Sequence, residues 1–479
     1  MLLEIVIIKK KIAIIGAGPA GLTAAHELTL KGYQVDLFEA DWSVGGMAKS
    51  FKLWNQTVDL GPHRFFSSDT RVNKKWLDLI GKDYAMVSRL TRIYYNHKFF
   101  AYPLKPFDAL SRLGIFKSFL CVLSYLKAKL KNSKNNKTFE SWVTNRFGYK
   151  LFSIFFKSYS EKLWGISCKK LDADFAAQRI KKLSLFEAIK SAFIKSGYKH
   201  KTLVDEFAYP LQGAGEVYVR MAAEIKSKKG NVFLNTKVNS VDKKNNKVYQ
   251  ITLDNRKIIK YDHVISTMPM THLVEKIGAP NKVVNAAKKL TFRNTMLVYL
   301  KIDSSKLFPD QWLYIHSEDV LTGRVTNFKN WVKSINNNQK ETILCLEYWC
   351  YDHDDIWHHS ENEMVKLASK EIEIIGLAQT NKVISGKLIR VPKCYPVYSI
   401  GYQKNLKIVE NYLNNIKNLS VIGRYGSFKY NNQDHSILMG LLAAENIDLG
   451  EKKNNLWEIN TDYEYQENST ITSTGLRKD

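Results

Sequence analysis

Two apolar segments joined by a glycine-rich crossover stand near the start of the chain. Lys11–Gly16 (KIAIIG) is rich in β-branched residues, which indicates a buried strand. A helical stretch, LTAAHELTLKG, follows, and Gln34–Phe38 (QVDLF) indicates a second strand that ends at Glu39. Strand, helix and strand in this order make a βαβ unit, the element from which parallel sheets are built. We therefore expect an α/β fold.

The crossover has the spacing of a dinucleotide-binding turn. Gly16 permits a tight turn, Gly18 lets the backbone approach a pyrophosphate, and Gly21 allows close packing of helix on strand. The start of the helix offers free N–H groups and a positive dipole to phosphates. A carboxylate at Glu39 can hold ribose hydroxyls. The residues predicted to bind the dinucleotide here are Gly16, Gly18, Pro19, Ala20, Gly21 and Glu39.

The continuation resembles the fingerprint of the two-dinucleotide-binding-domain flavoproteins. Glu39-Ala40 is followed by Gly45-Gly46-Met-Ala, which is similar to that family's E-A-x-x-x-x-G-G-x-A. Three later segments match the family in order, around Val238, around Thr267 in VISTMP, and at Gly423 in VIGR. The resemblance implies FAD as the cofactor, with Ala40, Gly45, Gly46, Val238, Thr267 and Gly423 among its contacts.

The order of segments along the chain predicts a discontinuous Rossmann-like FAD-binding domain with two inserts. Short apolar segments that indicate buried strands recur near the start, at 231–267 and at 419–423. Between them lie a helical stretch and a sheet-like stretch. The predicted limits are 1–100, 203–275 and 391–455 for the FAD-binding domain, 101–202 for a helical insert, 276–390 for a sheet-rich substrate domain, and 456–479 for a frayed C-terminal tail.

Two segments resemble the UDP-galactopyranose mutases. In DLGPHRFF, the resemblance places His63 beside the flavin, with Gly61 and Pro62 as neighbours. A histidine there could bond to the flavin or relay protons near neutral pH, or could simply satisfy a backbone carbonyl. The segment GRYGSFKYNNQDHS is similar to G-R-x-x-x-Y-x-Y-x-x-[MQ]-D. It implies that Arg424 partners a phosphate, and that Asp434 is catalytic or caps the following helix. Gln433 and Ser436, at the start of that helix, are predicted to contact the flavin.

Substrate residues are less clearly indicated. YSEKLWG is similar to the Y-[TS]-x-K-x-W-G motif shared by the mutases and protoporphyrinogen-oxidase-like proteins, where its aromatic rings serve either the substrate or the core. The mutase substrate arginine four residues after Arg179 is replaced by Leu183, and FAYPLQGAG looks more like an oxidase motif. The candidate substrate-binding residues are Tyr159, Lys162, Trp164, Arg179, Arg293 and Tyr430.

The amino-acid composition limits which classes of partner the protein can bind. The 479 residues carry a formal net charge of +26, mostly from lysine, which favours anionic partners such as diphosphates or acidic phospholipids. No nucleic-acid module is recognisable, and we expect none bound. Five scattered cysteines and an apolar start followed by its lysines suit a cytoplasmic protein without an export signal or structural metal. Ser118–Leu126 is too short to span a membrane; a buried helix is favoured over one that lies on a membrane surface.

Three functions remain open at this point. The first is a mutase-like enzyme that acts through reduced FAD on a nucleotide-diphosphate sugar in surface-polysaccharide biosynthesis. The second is an oxidase-like enzyme in which oxidised FAD abstracts hydride from an amine, porphyrinogen or polyene. The third is a non-catalytic flavin-bound scaffold. The sequence favours the first and leaves the substrate and the oligomeric state undetermined.

Overall fold

The computed structural model describes residues 10–131, 136–174, 206–460 and 471–476. In chain order the strands are β1 (Lys11–Ile15), β2 (Gln34–Phe38), β3 (Ser50–Leu53), β4 (Gln56–Asp59), β5 (Tyr84–Ser88), β6 (Thr91–Tyr95), β7 (Lys98–Ala101), β8 (Glu206–Pro210), β9 (Asn231–Phe233), β10 (Val238–Lys244), β11 (Lys247–Leu253), β12 (Ile258–Lys260), β13 (His263–Ser266), β14 (Phe292–Ile302), β15 (Trp312–Ile315), β16 (Arg324–Asn327), β17 (Thr342–Cys350), β18 (Val383–Pro396), β19 (Leu419–Val421), β20 (Ile471–Thr472) and β21 (Gly475–Leu476). The helices are α1 (Pro19–Leu30), α2 (Thr70–Ile80), α3 (Pro106–Leu113), α4 (Ile115–Lys131), α5 (Phe139–Phe147), α6 (Tyr149–Phe152), α7 (Ser158–Trp164), α8 (Glu216–Ser227), α9 (Met270–Lys276), α10 (Asn281–Lys288), α11 (Asp355–His358), α12 (Glu361–Ile374), α13 (Tyr402–Asn414), α14 (Gly423–Gly426) and α15 (Gln433–Leu449).

A five-stranded sheet forms one half of the fold, in the order β19-β13-β1-β2-β9. All its pairings are parallel, as the βαβ unit predicts. Successive side chains of a strand point to opposite faces. Accordingly, Ile12 and Ile14 of β1 pack in the cluster that contains α1, α8 and α15, while Ala13 and Ile15 pack with the three-stranded sheet β10-β11-β12.

Helix α1 is held tightly against α15. Pro19 occupies its first turn, where a missing N–H costs nothing. A Cβ on Gly440 would lie 2.6 Å from the Ala20 carbonyl oxygen, so the two helix backbones approach closely. This contact places the middle of α15 against the first turns of α1.

A seven-stranded sheet forms the second half, in the order β18-β14-β17-β16-β15-β6-β7. Its pairings are antiparallel except for β15 with β6. The sequence-based domain limits stay a prediction, but strand pairing differs from them at two places. Residues 91–101 and the end of β18 belong to this sheet rather than to the five-stranded one.

Two other expectations are wrong in detail. Helix α4 contains the segment for which burial is favoured, yet Cys121 is the one residue of α4 that is buried. The tail is expected to fray, but β20 and β21 pair as a hairpin in which Ile471 is buried, and the Tyr84 hydroxyl donates to the Thr472 carbonyl at 2.6 Å. Arg179 and Leu183 lie outside the described residues.

Candidate active site

A cavity of about 630 Å³ lies at the carboxyl ends of β1, β2 and β13 and reaches the seven-stranded sheet. In parallel sheets, ligands bind beyond the carboxyl ends of the strands. Of the sequence-predicted residues, those that line it are Gly16, Gly18, Pro19, Ala20, Glu39, Ala40, Gly46, Pro62, His63, Val238, Thr267, Gly423, Arg424, Tyr430, Gln433 and Ser436. Residues from four distant parts of the chain therefore meet at one site.

The two glycine segments meet at one end of the cavity. The Gly45 N–H donates to the Ala17 carbonyl at 2.8 Å, which ties the second segment to the first. A Cβ on Gly46 would lie 3.0 Å from the Gly18 Cα, so a side chain would push the two segments apart. Gly21 lies behind this surface, where a Cβ would lie 2.0 Å from the Gly16 carbonyl oxygen. The arrangement leaves bare backbone beside the start of α1, as a pyrophosphate requires.

Glu39 braces this turn as well as lining the cavity. Its carboxylate accepts hydrogen bonds from the N–H groups of Ala17, at 2.6 Å, and Asp41, at 2.9 Å. The neighbouring Asp41 carboxylate pairs with the Lys49 ammonium. Both carboxylates thus have partners inside the protein, and Glu39 retains its position at the end of β2 that suits a ribose contact.

His63 lies farther along the cavity. Its Nε2–H donates to the Leu60 carbonyl at 2.9 Å, which leaves Nδ1 as the acceptor atom of the ring. Burial, with the nearby Arg324 and Arg424 charges, lowers the pKa of His63 to about 4. The ring is therefore neutral near pH 7, and of the three alternatives the bond to a backbone carbonyl is the one present, while the flavin contact and the proton relay stay predictions.

Arg424 lies against a pair of stacked aromatic rings. Its guanidinium carbon lies 4.7 Å from the ring centre of Tyr395 and 4.4 Å from that of Tyr430. Nε donates to the Cys394 carbonyl at 2.9 Å and Nη1 to the Asn431 carbonyl at 3.1 Å. Nη2 is buried and has no hydrogen-bond partner among the described residues. A fixed cation with one unused donor suits a negatively charged group in the cavity.

The start of α15 supplies two cavity residues, Gln433 and Ser436. The Gln433 side chain is fixed because its Oε1 accepts from the Tyr218 hydroxyl at 2.7 Å and its Nε2 donates to the Arg64 carbonyl at 3.3 Å. Asp434 does not line the cavity, and Asn432 rather than Asp434 is the N-cap. The carboxylate of Asp434 lies in the first turn, where negative charge stabilises a helix.

An ion pair that sequence reasoning missed lines the cavity beside His63. The Arg324 guanidinium holds the Glu347 carboxylate through two bonds, Nε to Oε1 at 2.5 Å and Nη2 to Oε2 at 2.6 Å. Gly61 leaves room for it, since a Cβ there would lie 3.1 Å from Oε1 of Glu347. The pair is neutral overall, so Arg424 remains the uncompensated charge of this group.

Four predicted substrate residues lie behind the cavity wall rather than in it. Lys162 donates to the Ser317 carbonyl at 2.5 Å, and burial lowers its pKa to about 8. Trp164 is fully buried among tyrosines. Arg293 is a structural clamp: it donates to the Trp349 carbonyl at 2.6 Å, to the carbonyls of Lys162 and Leu163, and pairs with Asp354. The fourth residue is Tyr159.

Tyr159 stacks on His316, with ring centres 4.7 Å apart. Burial, with the charge of Lys162, lowers the pKa of His316 to about 3. The unfolded chain thus binds a proton at higher pH than the folded protein does. Stability is present above the unfolded pKa and falls as the pH drops toward the folded one.

Acidification from pH 7 to pH 5 is expected to lower the free energy of unfolding by about 2 kcal/mol through His316 alone. Urea unfolding of the FAD-loaded protein at both pH values measures this. A His316→Gln variant should show the flatter pH dependence, whereas His353→Gln, on an exposed side chain, should behave as the wild type. Equal pH dependence in H316Q and the wild type would contradict the assignment.

A group of basic side chains, here called the cationic rim, also lines the cavity: Lys237, Lys276, Arg390 and Lys393. Burial, and then the charges of Lys393, Lys276 and Lys237, lower the pKa of His272, which also lines the cavity, while the charge of Glu275 opposes this shift. Within the described ranges, no carboxylate forms an ion pair with any of the four. The rim therefore carries positive charge that an anionic ligand can balance.

The comparisons with known proteins agree with this geometry. A family model described as flavin containing amine oxidoreductase matches residues 19–376, which is more than half of the chain. The protein belongs to this family. It is an FAD-dependent enzyme of the oxidoreductase type.

Solved structures share the fold of this flavin-containing amine oxidoreductase. A structure of reduced UDP-galactopyranose mutase is 22% identical, with a TM-score of 0.83 over 95% of this chain and 97% of that one. A putative protoporphyrinogen oxidase from Exiguobacterium sp. 255-15 is 16% identical, with a TM-score of 0.72 over 92% of this chain and 99% of that one. At these identities the likeness is one of fold.

Curated relatives match over a short stretch. The 4,4'-diapophytoene desaturase of Staphylococcus haemolyticus (strain JCSC1435) is 41% identical over 86 residues, which is 17% of this chain and 17% of that protein. The match thus spans less than a fifth of the relative's length. In the described parts of this flavoenzyme, no helix is both long and apolar enough to cross a membrane.

The residues present fit FAD. The facing backbones of Gly18 and Gly46 form a cradle that a Cβ would fill, and Arg424 presents a buried donor without a partner among the described residues. Glycine backbone and the start of α1 would hold the diphosphate, and Glu39 the ribose. When bound, FAD supplies hydride-transfer chemistry and, in its reduced form, nucleophilic chemistry at the isoalloxazine ring.

Proposed function

We propose that this enzyme acts through reduced FAD on a nucleotide-diphosphate sugar and interconverts two ring forms of the sugar without net oxidation, in surface-polysaccharide biosynthesis. The observation that carries the proposal is the cationic rim. Glycine backbone and the start of α1 serve the diphosphate of the cofactor, so the rim side chains remain for a second diphosphate.

The charge balance of the cavity supports an anionic substrate. Its three carboxylates have internal partners: Glu39 accepts two N–H groups, Asp41 pairs with Lys49, and Glu347 pairs with Arg324. Of the rim cations, Lys276 donates to the Asn239 carbonyl and Arg390 to the Trp357 and His359 carbonyls. These bonds to neutral carbonyls leave the charges uncompensated, so the cavity has an excess of positive charge. A diphosphate would bind there with strong salt dependence.

The residues at the inner end suit a sugar. The rings of Tyr395 and Tyr430 line the cavity, stack with centres 5.4 Å apart, and both contact the Arg424 guanidinium. Burial raises the pKa of Tyr395 well above its ordinary value, so its hydroxyl stays protonated and can donate to a sugar oxygen. Neutral His63 can accept a sugar hydroxyl at Nδ1, and Arg424 stabilises negative charge as it develops.

The test compares reduced and oxidised enzyme. UDP- and dTDP-linked hexoses are incubated anaerobically with dithionite-reduced protein, and the products are separated by chromatography. We expect conversion with the reduced enzyme and none with the oxidised enzyme, which serves as the matched control. Absence of conversion of every sugar nucleotide by a fully FAD-loaded, reduced protein would refute the proposal.

A second candidate is hydride abstraction by oxidised FAD from an amine, porphyrinogen or polyene. The match to a desaturase favours it, as do the apolar and aromatic cavity residues Leu297, Trp312, Tyr314 and Val391. Such a substrate should bleach the oxidised flavin anaerobically, without dithionite. Bleaching by a porphyrinogen, amine or carotenoid precursor, together with inert sugar nucleotides, would establish this function instead.

The proposed location is the cytoplasm. All five cysteines of the chain are buried free thiols. Reducing compartments keep thiols in this form, and a reduced flavin is also easier to maintain there. Fractionation of cells that produce the full chain, followed by detection of the protein in each fraction, tests the location directly.

A further inference from the structure

Helix α4 exposes a continuous apolar face. Ile115 is 92% exposed, Phe116 75% and Leu130 88%, and the residues between them add to the same surface. The full set, here called the α4 face, is Ile115, Phe116, Phe119, Val122, Leu123, Leu126 and Leu130. At about 100° per residue, these seven side chains fall within an arc of roughly 120°. Isolated exposed apolar residues are common on proteins, but a full helix stripe is not.

The opposite face of α4 packs on the protein. Cys121 is buried, the Ser118 hydroxyl donates to the Leu110 carbonyl at 2.6 Å, and the Ser124 hydroxyl accepts from the Lys150 N–H at 3.0 Å. A Cβ on Gly148 would lie 2.6 Å from the Tyr125 nitrogen, so the α4 backbone sits directly on the start of α6. Helix α4 is therefore anchored, and its apolar stripe points away from the body rather than into a core.

The charge around the α4 face has one sign. Residues 105–131 contain six basic residues and one acidic residue, Asp108. Asp108 is already paired with Arg112 at 2.5 Å. On the helix surface, Lys127 and Lys129 lie about 80° to either side of the centre of the stripe. Two copies of this face would bring lysine against lysine, so the charge disfavours self-association through it and complements an anionic surface.

We infer that the α4 face docks on an anionic phospholipid surface. The apolar stripe enters the region between headgroups and acyl chains, and the flanking lysines contact lipid phosphates. Six to seven apolar side chains with a lysine border are the pattern of a helix that lies in the plane of a membrane without crossing it. The inference is independent of the substrate and requires no change in the active site.

The experiment measures partition of the FAD-loaded full chain into vesicles of phosphatidylcholine with and without phosphatidylglycerol, by sedimentation. We expect binding to the anionic vesicles that weakens with salt. Phe119→Gln with Leu126→Gln should lower the partition by about a hundredfold, because two apolar side chains no longer enter the lipid. Lys127→Gln with Lys129→Gln should lower it by roughly twentyfold.

The matched control replaces apolar residues of similar exposure elsewhere, Ile258→Gln with Ile384→Gln, and should bind as the wild type. Flavin absorbance and far-UV circular dichroism confirm that each variant is folded. Three results would overturn the inference: a wild type that does not bind anionic vesicles, an F119Q/L126Q variant that binds as well as the wild type, and a wild-type dimer that F119Q/L126Q converts to monomer.

Discussion

Gly16→Ala is expected to give a folded protein that contains almost no FAD. Gly16 has φ +98°, a conformation that L side chains rarely adopt, and its Cβ would lie 2.1 Å from the Thr267 hydroxyl oxygen. Neither Thr267 nor the Gly16 backbone can move freely. The Thr267 hydroxyl donates to the Ile15 carbonyl at 2.9 Å, and the Gly16 N–H donates to the Phe38 carbonyl at 2.8 Å. The turn must shift, and we expect FAD affinity to fall by at least about a hundredfold.

Absorbance of the purified protein near 450 nm, and titration of apoprotein with FAD, measure this loss. Gly376→Ala is the matched control, since Gly376 has φ +77° but open space around its Cβ position, and it lies outside the cavity lining. It should lose a similar amount of stability and keep its FAD. The double variant G16A/T267A should bind FAD better than G16A does. Normal FAD content in G16A would remove the glycine turn from the site.

The success of the sequence at this end of the cavity has a local cause. Gly16 and Gly46 have positive φ angles, which are a requirement of the local backbone, so the glycine spacing along the chain is enough to indicate the turn. The start of α15 was recognisable for a similar reason, because a polar segment precedes an apolar helix. Features that depend on one βαβ unit, or on one helix start, can be read without knowing the rest of the fold.

The far end of the cavity depends on contacts that no local pattern contains. Arg324 and Glu347 are brought opposite each other by the register of β16 on β17, and the sequence gives no means to derive that register. One signal was available: Glu347 is a carboxylate in the middle of the otherwise apolar run TILCLEYWC. A charge in a buried strand needs a partner, so it deserved attention as a site residue.

The family motifs predicted substrate-binding residues at positions whose side chains stabilise the fold instead. Lys162 and Arg293 match or approximate positions for substrate binding, but in this fold both cations bond to backbone carbonyls. Those carbonyls belong to a helix end and to strands that meet only in the folded protein. The residue type alone indicates a cation at each position. Tertiary packing determines that each cation donates to backbone carbonyls and so connects two elements of the fold instead of binding substrate.

Replacement of Arg424 is expected to impair chemistry far more than FAD loading, because its guanidinium contacts Cys394, Asn431 and the two tyrosine rings rather than the glycine turn. Arg424→Lys keeps the charge but puts all its donors on one nitrogen, so it loses the planar fork whose separate nitrogens reach the Cys394 carbonyl, the Asn431 carbonyl and the cavity. We expect turnover to fall by about a hundredfold to a thousandfold, the usual cost of removing a donor from developing negative charge. Arg390→Lys, the same change on the cationic rim, should chiefly raise KM.

Arg424→Met removes the charge but keeps the packing, because the unbranched methionine side chain can still lie against the stacked rings of Tyr395 and Tyr430. Loss of a buried cation destabilises nearby negative charge, including that of a reduced flavin, so the flavin midpoint potential should become more negative by tens of millivolts. R424K should leave the potential close to the wild-type value. Equal potentials in wild type and R424M, or FAD loss that parallels the loss of turnover, would show that Arg424 only supports the fold. The expected pattern is a shifted potential in R424M and a wild-type potential in R424K. It would show that the charge of Arg424 acts on the cofactor, while its fork of donors acts on the substrate.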